Sequence, residues 1–271
     1  MTAPLRALRA LDLFSGTGSV SAAWRRAGHE CDSLDLDPRF APTICANVLS
    51  WDYKALPRGH YDAIWASCPC ENYSIARSNA LTPRDVELAD SLVRRTLEII
   101  EWFRPKAWFV ENPAGSLLWR RFTWPRLVTT SYCAYGFPYR KNTTIATNLA
   151  DFFLRDPCGG AGVCAQMVGS RHLAHAQKGG GGATNAYHSR DELHRIPEGL
   201  CADVVRWCER ALARDVQTSE HPDIHRITSE TNTSTNDHCR SRGPPSEVEA
   251  SDIYLARAQC SVLPVRGELN H

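Results

Sequence analysis

The sequence has almost no excess charge of either sign: 31 Lys and Arg stand against 30 Asp and Glu, a formal net of +1. That near-balance excludes the global basic signature by which many nucleic-acid binders are recognised. It leaves room for a local basic face, because residues 215–271 carry nine acids against five arginines and the first 214 residues come to +5. No apolar run reaches the length of a bilayer span, so no membrane partner is expected. The first residues, Met1 to Arg9, run into a strand-like segment without an apolar leader. Eleven cysteines, odd in number and scattered, then fit a reducing intracellular environment better than a disulfide framework. Cys31, Cys45, Cys201 and Cys208 read as small core residues.

An apolar share of 43% is enough for a substantial core. Residues 8–14 read as a strand that ends at Ser15-Gly16-Thr17-Gly18, and Ser19 to Ala27 as a helix stopped by Gly28. Cys31 to Leu36 and Ala63 to Ala66 are further strands. The clearest helix spans Pro83 to Phe103, with Thr82 as its N-cap, Pro83 in the first turn and Asp85 completing the start. Val86, Ala89, Val93, Leu97, Ile100 and Phe103 recur at helical spacing. Ala107-Trp108-Phe109-Val110 is wholly apolar, as a central parallel strand should be. Strands near Val128–Ala134 and Thr143–Asn148 follow, and a last helix covers about Pro197–Arg210. Alternation of strand and helix implies an α/β fold, a doubly wound and mostly parallel sheet covered on both faces. The expected organisation is a core over 1–148, a short insert over 149–196, a returning helix over 197–214 and a disordered tail over 215–271.

Ligands of doubly wound sheets bind at the carboxyl ends of strands, where Phe14, Ser15, Gly16 and Gly18 fall. Glycines let the backbone turn sharply and come close to a ligand. No Lys-Ser/Thr pair follows, which argues against a P-loop. Asp35 closes the second strand about twenty residues later, where an acid holds a ribose hydroxyl, and Asp37 competes for that place. Together these features indicate a nucleoside cofactor, dinucleotide or S-adenosylmethionine.

Two further strand ends choose the chemistry. Ser67-Cys68-Pro69-Cys70-Glu71-Asn72-Tyr73-Ser74 follows one strand and Glu111-Asn112-Pro113 another, so both open toward the same mouth. A thiol held by a Pro turn near positive charge can ionise and act as a nucleophile. With these strings the sequence resembles the cytosine-5 DNA methyltransferase family, on the seven-stranded class I S-adenosylmethionine-dependent fold. Asp12-Leu13-Phe14-Ser15-Gly16-Thr17-Gly18 matches the first motif, Pro69-Cys70 the catalytic dipeptide and Glu111-Asn112-Pro113 the acidic motif. Tyr135-Gly136-Phe137-Pro138-Tyr139-Arg140-Lys141 is similar to the later basic segment. The variant strings look most like compact phage- or virus-type members.

The resemblance implies Cys70 as the thiolate that adds to cytosine, Glu111 as the acid on ring nitrogen 3 and Arg140 as the clamp on the base or a phosphate. It places Phe14, Ser15, Gly16, Gly18, Asp35, Leu36, Asn47, Val48 and Pro69 around S-adenosylmethionine. Ser74, Asn112 and Lys141 fall on the substrate side, and Cys68 is assigned to packing. DNA is the expected partner and a monomer the expected state, with RNA cytosine or a catalytically silent DNA-binding relative as alternatives.

The sequence departs from the family at three places. Asn47 stands where an Asp usually meets the adenine, and Thr143 or Thr144 where a second arginine is usual. No large target-recognition region separates Asn148 from Pro197, which implies a short or relaxed target sequence. In that insert Cys158, Cys164, His172 and His175 could form a zinc set. Their spacings of five, seven and two residues are looser than finger patterns, so the expectation is a Gly-rich loop without resident metal, in which Arg171, His172 and Lys178 could meet phosphates.

Overall fold

The computed structural model describes residues 6–74, 83–177, 181–184 and 188–215. The strands β1 (Arg9–Leu13), β2 (Glu30–Asp35), β3 (Ile44–Cys45), β4 (Ala63–Ala66), β5 (Ala107–Pro113), β6 (Leu127–Ser131) and β7 (Asn142–Thr147) form one sheet in the order β3-β2-β1-β4-β5-β7-β6. All pairings are parallel except those of β7, which runs antiparallel to β5 and β6. The expected doubly wound seven-stranded sheet is therefore present, and the order reverses beside β1, the place where such sheets bind ligands.

Strand alternation divides the core into two rows. Ala10, Ala63, Trp65, Ala107 and Phe109 pack with Val20, Ala23 and Trp24 of α1 (Ser19–Arg26) and with Leu200, Val204, Val205 and Cys208 of α5 (Glu198–Asp215). The intervening Leu11, Leu13, Ile64, Trp108 and Val110 are equally buried and leave the other face for α2 (Val86–Phe103). That helix buries Leu92, Val93, Ile99, Ile100 and Phe103 along one stripe. Burial on both faces explains why β4 and the first half of β5 read as unbroken apolar runs.

Local chemistry moves several boundaries from the expected ones. Helix α2 starts at Val86, not Pro83, because the Asp85 carboxylate caps it by accepting from the Leu88 N–H at 2.8 Å. Thr82, the expected cap, lies outside the described residues. β6 stops at Ser131, where the chain enters a 3-10 turn over Tyr132–Tyr135 that ends at Gly136. Helix α5 continues to Asp215. Cys31, Cys201 and Cys208 are buried as expected, but Cys45 is exposed because β3 is a two-residue edge strand.

Between β7 and α5 the chain forms a small ribbon of β8 (Met167–Val168) and β9 (Arg171–His172), then the short α4 (Arg190–His194). Three further short elements complete the described chain: α3 (Leu118–Arg121) after β5, a 3-10 turn over Pro38–Phe40 after β2 and another over Tyr53–Ala55 before β4. Lys178 and residues 216–271, including the expected disordered tail, lie outside the described residues. Among the described residues no helix is long and apolar enough to cross a membrane.

Candidate active site

Parallel register brings four strand ends to one level. Leu13 of β1 pairs with Leu34 of β2 and with Ala66 of β4, and Ala66 pairs with Val110 of β5. Phe14, Asp35, Ser67 and Glu111 therefore emerge side by side at the carboxyl edge of the sheet.

The turn after β1 is strained. Phe14, Gly16 and Gly18 have φ of 58°, 46° and 72°. For a bulky residue such as Phe14 the left-handed region costs on the order of 1 kcal/mol, and it persists only where surrounding structure enforces it. Here Ser15 N–H donates to Leu34 O at 3.0 Å and Gly18 N–H to Ser15 O at 2.9 Å. No atom lies within 4 Å of where a Gly16 β-carbon would stand, so the turn faces open space. Helix α1 begins at Gly18 without a side-chain cap. Beneath it the buried Asp12 carboxylate accepts from Ser21 N–H at 3.0 Å, and burial drives its pKa up to about 7.

Asp35 and Asp37 separate by partner. One Asp35 oxygen accepts from Gly16 N–H at 2.7 Å and the other from Asp37 N–H at 2.9 Å, which fastens the acid to the glycine turn. Asp37 instead caps the Pro38–Phe40 turn and takes Arg39 Nε at 2.9 Å, a bond that holds its pKa below the ordinary value. The Asn47 side-chain oxygen accepts from Leu49 N–H at 3.0 Å, and the buried Val48 gives its carbonyl to Arg95 Nε at 3.1 Å. An open glycine turn, a carboxylate at the end of β2 and the Asn47-Val48 segment together fit the amino-acid, ribose and base portions of a nucleoside cofactor.

The loop after β4 is anchored at several points. Ser67 N–H donates to Leu13 O at 3.1 Å, Asn112 Nδ2 donates to Cys68 O at 2.7 Å, and Tyr73 N–H donates to Cys70 O at 3.0 Å. The Tyr73 ring is fully buried, and its hydroxyl donates to Asp90 of α2 at 2.7 Å. Burial opposes ionisation of Asp90, but the bonds from Arg121 and Tyr73 more than offset it and hold its pKa low. Cys68 points into the core against Thr96, its thiol pushed up to about 12 by burial.

Cys70 and Glu111 follow neighbouring strands at this edge, close enough that the Glu111 charge acts on the thiol. Burial raises the Cys70 pKa, the Glu111 carboxylate raises it further and Lys141 lowers it. Burial likewise raises Glu111, opposed by Lys141 and by hydrogen bonds from Thr143 and Ser67. The expectation of a thiol readily ionised by nearby positive charge is thus amended: burial and the adjacent acid outweigh the cation in the resting protein.

Lys141 is a cation whose charge reaches both groups. Its Nζ donates to Leu193 O at 2.9 Å and sits 4.7 Å from the centre of the Tyr132 ring. Arg140, expected as the clamp, is exposed, and its charge acts on Cys158 and His172 instead. Ser74 reaches the rim through a bridge to Ser116, and Leu36 and Pro69 are half-buried at the same edge. The candidate metal-ligating set named from the sequence differs in one member. Cys158, Cys164 and His172 converge with Cys133, whereas His175 is exposed three residues beyond the ribbon.

The family model for "C-5 cytosine-specific DNA methylase" matches residues 8–117. Over 221 residues the chain is 33% identical to the whole of a Frog virus 3 (isolate Goorha) protein described as "Probable DNA (cytosine-5)-methyltransferase", covering 74% of this chain. The chain belongs to the C-5 cytosine-specific DNA methylase family. It is accordingly a DNA cytosine-5 methyltransferase with S-adenosylmethionine as methyl donor. It is also 28% identical over 119 residues to the type II methyltransferase M1.HphI of Haemophilus parahaemolyticus, covering 38% of this chain and 32% of that one. The crystal structure of the S. pombe Dnmt2 methyltransferase aligns with a TM-score of 0.38 and 16% identity, over 54% of this chain and 53% of that one.

Sequence reasoning missed several residues of this methyltransferase site. Thr143 donates to Glu111 and also to Asn112 O at 3.0 Å, so the position noted only for its missing arginine holds the acid. Ser67 has a comparable role, and its own oxygen accepts from Trp65 Nε1 at 2.8 Å. Asp12 was legible as part of the first motif but not as a buried, protonatable group. For Ser67 the available signal was a hydroxyl one residue beyond an apolar strand, whereas Asp12 and Thr143 lie inside β1 and β7.

Proposed function

We propose that this methyltransferase works through a covalent bond between Cys70 and carbon 6 of a cytosine swung out of the DNA stack. One observation carries the reading: Ala66 of β4 pairs with Val110 of β5, so the Cys70 loop and Glu111 leave the same edge of the sheet, where a proton on Glu111 and a charge on Cys70 favour each other. A neutral Glu111 removes the negative charge beside the sulfur. It can also hold its proton against ring nitrogen 3, which draws electrons from the ring and eases thiolate addition. Lys141 offsets the charge on sulfur when the bond forms and when it breaks. Ser67 and Thr143 fix the carboxyl orientation, as preorganised donors do.

The backbone of Phe14, Ser15, Gly16 and Gly18 would hold the amino-acid portion of S-adenosylmethionine, Asp35 its ribose hydroxyls, and Leu36, Asn47 and Val48 its adenine, with Pro69 closing the pocket. When bound, that cofactor supplies an electrophilic methyl group on a sulfonium centre. The insert over residues 149–196 faces the target, and its small size supports a short or relaxed recognition sequence. The target atoms lie within the base stack, so extrusion of the base precedes chemistry.

Trapping tests the covalent step. DNA carrying 5-fluorocytosine lacks the proton whose loss releases the sulfur, so a denaturation-resistant complex should accumulate with S-adenosylmethionine. Cys70→Ala should abolish the complex and Cys68→Ala should retain it. Trapping that survives Cys70→Ala, or wild-type turnover without any adduct, would overturn the mechanism.

A further inference from the structure

We infer that Cys133, Cys158, Cys164 and His172 form a structural zinc site that fastens the insert to the β6–β7 hairpin. Their ligand atoms lie within 4.8 Å of one another. The His172 Nε2 is 3.4 Å from Cys158 Sγ and 3.7 Å from Cys164 Sγ. Zinc bonds of about 2.3 Å to sulfur and about 2.0 Å to nitrogen give tetrahedral edges of roughly 3.5–3.8 Å, so the donors already stand near coordination spacing.

The four donors come from three segments: the turn after β6, the loop from Cys158 to Cys164, and β9. Cys133 sits buried on the 3-10 turn after β6. Cys158 N–H donates to Ser131 Oγ at 2.9 Å, and that hydroxyl donates to Asn142 at the start of β7 at 2.7 Å. The chain then doubles back through Gly160 and Gly162, with φ of 81° and 80°, and Cys164 N–H donates to Gly160 O at 2.9 Å. Only a residue without a β-carbon adopts such angles without strain, so the loop is shaped to return the second sulfur to the first. His172 enters from β9, its carbonyl accepting from Ala183 N–H at 2.8 Å.

A second observation calls for a metal. None of residues 155–173 is buried, and Val163 and Val168 are 77% and 63% exposed. A segment with so little apolar burial cannot offset the entropy of ordering its backbone, and metal coordination is the usual substitute. Four protein donors leave no open position, which marks a structural rather than a catalytic site. Three thiolates and a neutral imidazole around a dication leave one net negative charge, and exposed Arg140 stands beside Cys158 and His172 to meet it. Such a site is independent of the covalent mechanism at Cys70.

The test is metal content of the full chain, purified with reductant from zinc-supplemented cells without chelator. One zinc per chain is expected, falling below about a fifth of an equivalent in Cys133→Ser and Cys158→Ser and unchanged in Cys45→Ser. Chelated protein titrated with Co²⁺ alone should show the visible absorption of tetrahedral thiolate coordination, saturating at one equivalent. His172→Cys keeps four donors and should still bind should a serine variant fail to fold. Folded wild-type protein without zinc that gives no Co²⁺ spectrum overturns the site. So does an intact-mass loss showing a disulfide among the three cysteines, or full zinc retention in Cys158→Ser.

Discussion

The Asn112 side-chain amide donates to the Cys68 carbonyl at 2.7 Å, tying the end of β5 to the loop two residues before the Cys70 thiol. Its oxygen is buried and has no hydrogen-bond partner among the described residues, so within them the side chain is held by the donor side alone. Asn112→Asp replaces that donor with an acceptor facing a carbonyl. Stability should fall by about 1–3 kcal/mol, the usual cost of an unmet buried polar group, as read by thermal or urea unfolding. Misplacing the sulfur by a fraction of an ångström should lower kcat roughly ten- to hundredfold. An unchanged kcat in the folded variant would show that the loop keeps its position without this bond.

Much of this site is legible in the sequence because its motifs are local. The apolar runs over Ala63–Ala66 and Ala107–Val110 mark strands, and parallel order alone brings Cys70 and Glu111 to one edge. What stayed hidden depends on register and tertiary approach. Which of Arg140 and Lys141 acts on Cys70 depends on the path of the chain just before β7, and periodicity does not specify that in a loop. Cys133 joins Cys158 across 25 positions, through a fold contact with no spacing signature. The start of α2 is ambiguous in the sequence because Thr82-Pro83 and Asp85 both satisfy start rules, and only the structure shows which side chain caps a free N–H.

Asp35 and Asp37 are two residues apart and should behave differently. Asp35 is joined to the Gly16 turn, whereas Asp37 is committed to Arg39. Asp35→Ala should weaken S-adenosylmethionine about tenfold or more, the order expected for a lost charge-assisted hydrogen bond. Asp37→Ala should change affinity by less than about threefold. Calorimetric titration of both variants decides this, and equal effects would count against the assignment.

Lys141 lowers the pKa of both Cys70 and Glu111, while Arg140 acts on Cys158 and His172. If the thiolate is the reactive form, kcat/KM rises with pH as Cys70 loses its proton. Without the neighbouring cation that proton is held more tightly. Lys141→Met should therefore move the rising limb to higher pH, and Arg140→Met should leave its midpoint in place. A profile shifted by Arg140→Met but not by Lys141→Met would reverse the roles given to the two cations.

Asp12 makes the most direct link between this site and stability. Its pKa in the folded chain is about 7 against an ordinary 3.8, because burial disfavours the charge more than the Ser21 N–H relieves it. The native state thus holds a proton that the unfolded chain gives up above about pH 4. The resulting stabilisation is fully present below that pH, declines as pH rises and is lost by about pH 7. It amounts to on the order of 4 kcal/mol, because each tenfold gain in proton affinity on folding is worth about 1.4 kcal/mol. Asn at this position keeps an acceptor for Ser21 and never ionises. Asp12→Asn should therefore melt close to wild type near pH 4, and progressively above it as pH is raised toward about 8. Because Glu111 is shifted in the same direction, the comparison is made between the two proteins at each pH, so the Glu111 contribution cancels. A constant difference in Tm across that range would mean that Asp12 does not carry this proton.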